Sequence, residues 1–136
     1  MTDRDTWTID KLFAGKPIQS RLYQYVRAFI ETLGPVTIKV TKTQVAFANV
    51  RQFAWVWLPM EWAKNRPPNS VVLSFALGKH ITHSQIVQAV EPYPGRWMHH
   101  VIIQNESDLN EDVRRWLGQA FTFTNHRQQR TPRHRE

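Results

Sequence analysis

The chain lacks cysteine altogether, and none of its apolar runs is long. Without cysteine there is no disulfide, no thiolate metal ligand and no thiol nucleophile, which fits a reducing compartment. The longest apolar stretch, residues 53–60, is far shorter than the ~20 residues that cross a bilayer. The polar, acidic N-terminus is unlike a secretory signal. We therefore expect a soluble, cytoplasmic protein with no membrane partner.

Glycine-rich loops and paired carboxylates are also missing. The five glycines form neither a phosphate-binding loop nor a nucleophile elbow, so nucleotide-dependent chemistry and serine hydrolysis are disfavoured. Residues 36–97 contain only two carboxylates, Glu61 and Glu91, which do not form a glycosidase-type pair. His80 and His83 form a His-x-x-His pair, but zinc needs three or four ligands. We predict no metal and no cofactor.

Positive charge, in contrast, is plentiful and unevenly distributed. The net charge is +7, and residues 36–97 carry seven lysines and arginines against their two carboxylates. Residues 125–136 carry four arginines, one glutamate and no apolar residue. Because such a segment has nothing to bury, we predict a disordered basic tail that follows a single domain over residues 1–124.

Helical periodicity occurs near both ends of that domain. A single apolar stripe predicts a helix over residues 18–33, which Gly34 and Pro35 end. A second stripe predicts a helix over residues 107–121, with Ser107 as its N-cap.

Between the helices, apolar residues alternate or form short two-sided runs, which predicts strands. Short connections favour antiparallel pairing. The fold class is therefore α+β: two layers, with a mostly antiparallel five- or six-stranded sheet and an N-terminal and a C-terminal helix that pack on one face. Residues 85–90 are either a short strand or a turn. The other strands are expected at residues 36–41, 44–48, 53–58, 71–77 and 97–104.

Lys42 stands between Thr41 and Thr43, near the end of a predicted strand. This arrangement suits an anion, because the ammonium supplies charge and the two hydroxyls supply directed hydrogen bonds. The alternative is a turn lysine in solvent, with threonines that favour the strand. The residues themselves leave both interpretations open.

His99 and His100 are adjacent within the last predicted strand, so their side chains point to opposite faces. One shares a face with Trp97, Val101 and Ile103 beneath the helices, and the other lies with Met98 and Ile102. They serve one reaction only if the strand is bulged. One reading is a general base beside a core histidine, and the other is a buried and a surface histidine without a catalytic role.

Trp55 and Trp57 alternate with apolar residues and share one face of their strand. They either pack in the core or line an open face, where an indole often has one wet end. An open face would suit base stacking and phosphate contacts with single-stranded nucleic acid. The basic residues available to such a face are Lys42, Arg51, Arg66, Lys79 and Arg96.

Several segments together resemble an uncharacterised bacterial family, domain of unknown function 5655. The most specific are Lys-Thr-x-x-Ala-Phe at residues 42–47 and the pair His99 and His100. The resemblance covers roughly residues 7–123, and small YdhG-like α+β domains are a more distant likeness. It implies the α+β fold, draws attention to Lys42, and brings no reaction, cofactor or catalytic residue.

Three functions follow as hypotheses, and whether the protein is an enzyme stays open. The first is a small binding module with a basic, aromatic-lined site for an anionic ligand or partner. The second is a nucleic-acid accessory protein that uses the basic middle and the arginine-rich tail. The third is an enzyme with a histidine acid–base and a lysine anion clamp. An open tryptophan-bearing face would also suit a homodimer. The predicted site residues are Thr41, Lys42, Thr43, Trp55, Trp57, Arg96, His99 and His100.

Overall fold

The computed structural model describes residues 8–58 and 69–130, with side chains to residue 124. Three helices and six strands follow one another in an order that matches the predicted helix–strands–helix plan. A short 3-10 turn, Glu106–Asp108, precedes the last helix. The elements are α1 (Ile9–Leu12), α2 (Pro17–Glu31), β1 (Thr37–Val40), β2 (Gln44–Ala48), β3 (Gln52–Trp57), β4 (Val71–Leu77), β5 (Ile86–Tyr93), β6 (Arg96–Ile103) and α3 (Glu111–Arg130).

The six strands form one sheet in the order β1-β2-β3-β4-β6-β5, and each neighbouring pair is antiparallel. This arrangement confirms the predicted α+β fold class. The last two strands exchange places relative to the chain order, because β6 inserts beside β4 and leaves β5 at the edge. β5 continues to Tyr93 and β6 begins at Arg96, so Pro94 and Gly95 form the turn between these two strands.

Helix α2 begins close to its predicted position, whereas α3 begins later than predicted and has a different N-cap residue. Pro17 starts α2, where its fixed φ and missing N–H are tolerated. The N-cap expected at Ser107 is wrong: α3 begins at Glu111, and the Asn110 Oδ1 accepts a hydrogen bond of 3.1 Å from the Val113 N–H. Both residue types cap helices well, and Ser107 lies instead in the preceding 3-10 turn.

One face of the sheet carries the main core. Apolar side chains from all three helices join alternate residues of the strands there, and Val26, Ile30 and Leu117 are among the most buried. At Gly34 the chain runs so close to α3 that an added Cβ would lie 2.9 Å from the Phe121 ring. Glycine is thus needed at this position for the helix end to pack against α3.

The C-terminal helix ends at Arg130 and therefore includes the first residues of the segment that was predicted to be a tail from residue 125 onward. Residues 1–7, 59–68 and 131–136 lie outside the described residues. The division of the chain at residue 124 stays a prediction. Among the helices that the structure describes, none combines the length and apolar character that a membrane span requires.

Candidate binding face of the sheet

On the second face of the sheet, which we call the open face, the apolar cluster includes no side chain from a described helix. Its small apolar cluster joins Ala46, Trp55 and Ala76, with Trp57 and Met98 packed against them, and all five belong to strands. The strand register places the following residues on the open face: Lys39, Gln44, Ala46, Trp55, Trp57, Val72, Ser74, Ala76, Gln88, Val90, Tyr93, Arg96, Met98, His100 and Ile102.

His100 lies near the middle of the open face and is held there by a hydrogen bond. Its Nδ1 is 2.6 Å from the Oγ of Ser74, the residue directly opposite on β4. The imidazole is half-buried, whereas Ser74 is fully buried. The contact therefore fixes the orientation of the ring, with Nδ1 turned toward the sheet. Because the hydroxyl is out of reach of solvent, Ser74 acts here as a positioning residue for His100.

Arg96 extends over the same face from the start of β6. Its guanidinium carbon lies 6.0 Å from the centre of the Trp55 ring and 5.8 Å from that of Tyr93. Both distances lie within the range of cation–π attraction. The ion pairs among the described residues join Arg27 to Glu31 and Asp112 to both His83 and Arg115, and none of them includes Arg96.

The open face contains no carboxylate at any of the strand positions given above, whereas it carries Lys39 and Arg96. Glu91 of β5 accepts a 3.1 Å hydrogen bond from the Gly95 N–H in the β5–β6 turn, and it is not among the ion pairs of the described residues. The described part of this face therefore has cations without compensating anions. Such a surface attracts anionic groups from solution.

The predicted segment Thr41–Lys42–Thr43 forms the turn between β1 and β2. The Thr41 hydroxyl is used within the turn, where it accepts from the N–H groups of Thr43 and Gln44 at 3.4 and 3.3 Å. Lys42 is exposed. Since β2 and β6 are three strand spacings apart, this turn is at least roughly 14 Å from His100 across the sheet. The structure therefore does not bring Lys42 and His100 together.

His99 lies on the helix face, as the strand alternation predicts. It is 0 % exposed and stacks on Phe75 with ring centres 5.3 Å apart. Its Nε2 accepts a 3.0 Å hydrogen bond from the Ile81 N–H, which assigns the proton of the neutral ring to Nδ1. Burial lowers the pKa of His99 to about 4, and positive charge on His80 or His100 acts in the same direction. His99 is thus a neutral core residue, separated from His100 by the sheet.

The two other histidines whose side chains the structure describes, His80 and His83, each have their own contacts. In the β4–β5 loop, the His83 Nε2 lies 3.1 Å from the Asp112 carboxylate, and its Nδ1 accepts from the Gln85 N–H. Arg115 and His83 together lower the pKa of Asp112. The rings of His80 and Trp97 form a T-shaped pair with their centres 4.8 Å apart. In the part of the chain that the structure describes, no group of three or more histidines and carboxylates is arranged to hold a metal ion.

At the end of the open face nearest Lys42, two polar atoms are buried without a partner. Gln44 and Trp57 are directly opposite each other on β2 and β3. Among the residues that the structure describes, neither the Oε1 of Gln44 nor the Nε1–H of Trp57 finds a hydrogen-bond partner. A donor and an acceptor therefore remain unpaired side by side, which costs stability at this position.

The residues that the sequence predicts as one site thus lie in three separate places in the fold. Trp55, Trp57, Arg96 and His100 share the open face, Thr41 to Thr43 form a turn at its end, and His99 lies in the core. Among the other predicted cations, Arg66 lies outside the described residues, and Arg51 and Lys79 lie next to strand ends.

Sequence reasoning missed Ser74 and Tyr93. Ser74 is the one polar residue of the buried strand Val71–Leu77, and a buried hydroxyl requires a partner. That signal was available in the sequence, but the identity of the partner depends on the pairing of β4 with β6.

Comparison with protein families finds that residues 9–124 match the family model described as Domain of unknown function (DUF5655). The match spans most of the chain, from α1 into the C-terminal helix. Comparison with the curated proteins finds no match, and comparison with the solved structures finds none either. The more distant likeness to YdhG-like domains stays a prediction.

Proposed function

We propose that this chain, which belongs to the family described as Domain of unknown function (DUF5655), is a binding module whose open face takes an anionic ligand or partner. The site consists of Arg96 as the charged contact, Trp55 and Tyr93 as the rings that hold it, and His100 as a second polar contact positioned by Ser74. In this proposal the protein is cytoplasmic, as its lack of cysteine suggests.

The observation that carries the proposal is the position of the Arg96 guanidinium and its lack of an ion pair with the described residues. Its guanidinium lies over two aromatic rings on a face where no described strand position supplies a carboxylate. An arginine that forms no ion pair with the described residues keeps its hydrogen-bonding edge for an outside anion. The rings restrict the side chain beforehand, so less conformational entropy is lost when the anion binds.

The enzyme alternative requires a histidine and Lys42 at one point. His99 is enclosed in the core and Lys42 is several strands from His100, so this combination has no support. For nucleic-acid binding, Trp55 offers little ring surface because only 8 % of it is exposed. Stacking on a base needs an accessible ring face. Both alternatives, like a homodimer through this face, stay predictions without a specific observation in their favour.

The proposal is tested by titrating the wild type, Arg96→Gln and Lys42→Gln with sodium benzoate and with inorganic phosphate. We expect at least one anion to bind saturably and Arg96→Gln to weaken it about tenfold or more, since a hydrogen bond to a charged group contributes about 1.5–3 kcal/mol. Lys42→Gln removes the same charge at the remote turn and should leave the affinity almost unchanged.

Two results would contradict the proposal. One is the absence of saturable binding of either anion to the wild type. The other is the reverse order of effects, in which Lys42→Gln abolishes binding and Arg96→Gln does not. In that case the anion binds at the turn Thr41–Lys42–Thr43 and not on the open face.

A further inference from the structure

The two edges of the sheet differ in how well they are protected against further strand pairing. β1, at one edge, has four residues and includes Lys39, and Lys42 follows in the next turn. β5, at the other edge, has eight residues, and Glu91 is the one charged residue among them. Short edge strands and lysine side chains are common means by which proteins prevent edge-to-edge association. β5 has neither of these protections.

β5 also leaves a row of backbone groups open at the edge. Among the strands that the structure describes, its one neighbour is β6. In an antiparallel ladder, alternate residues direct their N–H and C=O groups to opposite sides, so part of β5 directs these groups away from the sheet. Such a row is a template for another extended strand.

Exposed apolar side chains are concentrated on the same strand. Of the five large hydrophobic residues that are exposed in the described part of the chain, three belong to β5. They are Val87, Val90 and Tyr93, with 51, 42 and 42 % of their surface exposed. Apolar surface beside an unpaired edge favours association, because a partner removes it from water.

These three residues are placed symmetrically about Val90. The pairing with β6 puts Tyr93 two β6 residues from Val90 on one side. On the other side Val87 lies in a bulge, two to three β6 residues from Val90. A two-fold axis at Val90 therefore places Val90 opposite itself and each Val87 opposite Tyr93 of the second copy.

We propose that β5 pairs antiparallel with β5 of a second copy of this chain, across a two-fold axis at Val90. In this register Glu91 lies opposite Ala89 of the second copy, so no like charges meet. Pro92, which has no N–H, lies opposite Gln88, away from the axis. A spacing that is symmetric about one residue is what an isologous pair of identical strands requires, whereas an extended segment of another protein has no use for it.

The pairing joins two six-stranded sheets into one. An axis that relates antiparallel neighbours at a sheet edge is perpendicular to the sheet. The helices of both copies therefore lie on one side, and both open faces lie on the other. The inference goes beyond the proposed function and does not depend on it, since it rests on the strand edge and not on Arg96.

Sedimentation equilibrium of the full chain tests the inference, over concentrations from about 1 to about 500 µM. A ladder of one strand is a small interface, so we expect a weak dimer whose average mass rises with concentration toward twice that of the monomer. Val90→Lys places two lysines opposite each other at the axis and should weaken the dimer about tenfold or more. Val50→Lys makes the same change at an exposed valine in the β2–β3 turn and should leave the dimer unchanged.

A cysteine variant reports the register and does not depend on the folding of Val90→Lys. The chain has no cysteine, so Val90→Cys introduces a single thiol. Directly opposed residues of an antiparallel pair have Cα atoms about 4.5–5.5 Å apart, which a disulfide can span. We expect Val90→Cys to form a covalent dimer under mild oxidation at least about tenfold faster than Val50→Cys, because the dimer holds the two thiols together.

Three results would overturn the inference. The first is a wild type that stays monomeric at the highest concentration. The second is a dimer that Val90→Lys leaves intact, because the two copies then meet through another surface. The third is an equal rate of cross-linking in Val90→Cys and Val50→Cys, because Val90 then does not lie at the axis.

Discussion

His99 and His100 are neighbours in the sequence and differ in almost every physical respect. His99 is enclosed beneath the helices, stacked on Phe75 and kept neutral. His100 is half-buried on the open face, and its Nδ1 is hydrogen-bonded to the hydroxyl of Ser74. Their backbone pairing is alike, since both belong to β6 and pair with residues of β4. What separates them is only the alternation of a strand and the presence of helices on one side.

The two faces of the sheet differ in the same way as these two histidines. On the helix face the side chains of three helices enclose large apolar residues, and a change there should alter stability. On the open face the aromatic and charged residues have small or partly exposed neighbours. A change there should affect binding more than folding. Mutations on each face test this division between stability and binding directly.

Phe75 lies between the His99 ring and the Trp116 ring, with centres 5.3 and 5.8 Å away. Phe75→Ala should lower the free energy of unfolding by about 3–5 kcal/mol, because the enclosed site cannot collapse onto the cavity. Urea denaturation provides the measurement. Val90→Ala on the open face is the matched control and should change this free energy by no more than about 0.5 kcal/mol. Similar losses for both variants would contradict the division.

Acid should destabilise the protein through His99. Its pKa is lowered from 6.5 to about 4 in the folded state, so the unfolded chain binds the proton more readily. Stability is therefore fully present above pH 6.5 and falls as the pH drops from 6.5 toward 4, by up to about 3 kcal/mol from this group.

The check is urea denaturation across this pH range for the wild type and for His99→Gln. The variant keeps an acceptor for the Ile81 N–H but has no proton to bind, so its stability should depend less on pH. An equal pH dependence in both proteins would show that another group is responsible.

Ser74→Ala removes the hydrogen bond to His100 and should cost about 1 kcal/mol in unfolding free energy. The exposed Ser84 of the β4–β5 loop provides the control, since Ser84→Ala should change stability by less than about 0.5 kcal/mol. The ¹⁵N shifts of the His100 ring should also change in Ser74→Ala, because its orientation is no longer fixed. Unchanged ring shifts would argue against a positioning role.

Arg96→Gln should destabilise the fold less than Phe75→Ala, by about 0.5–1 kcal/mol, which is the size of a cation–π contact at an exposed site. The same variant should nevertheless lose most of the anion affinity. A loss of stability as large as that of Phe75→Ala would instead make Arg96 a structural residue of the open face.

The sequence predicted the α+β class and the opposite faces of the two histidines, because apolar spacing is a local property. It did not predict that Lys42 is remote from His100. That separation depends on strand order and register, which put β3 and β4 between the two residues. The role of Ser74 depends on the same long-range pairing. The N-cap of α3 is Asn110 and not the predicted Ser107, because two good capping residues lie three positions apart.

The most direct test of the binding face uses the indole N–H signals of two tryptophans during a benzoate titration. Trp55 lies on the open face, with its Nε1–H bonded to Gln52 at 3.2 Å, and Trp116 lies in the core on the helix face. We predict that the Trp55 signal shifts saturably while that of Trp116 stays in place, and that Arg96→Gln removes the shift. A saturable shift of Trp116 with no change at Trp55 would contradict it.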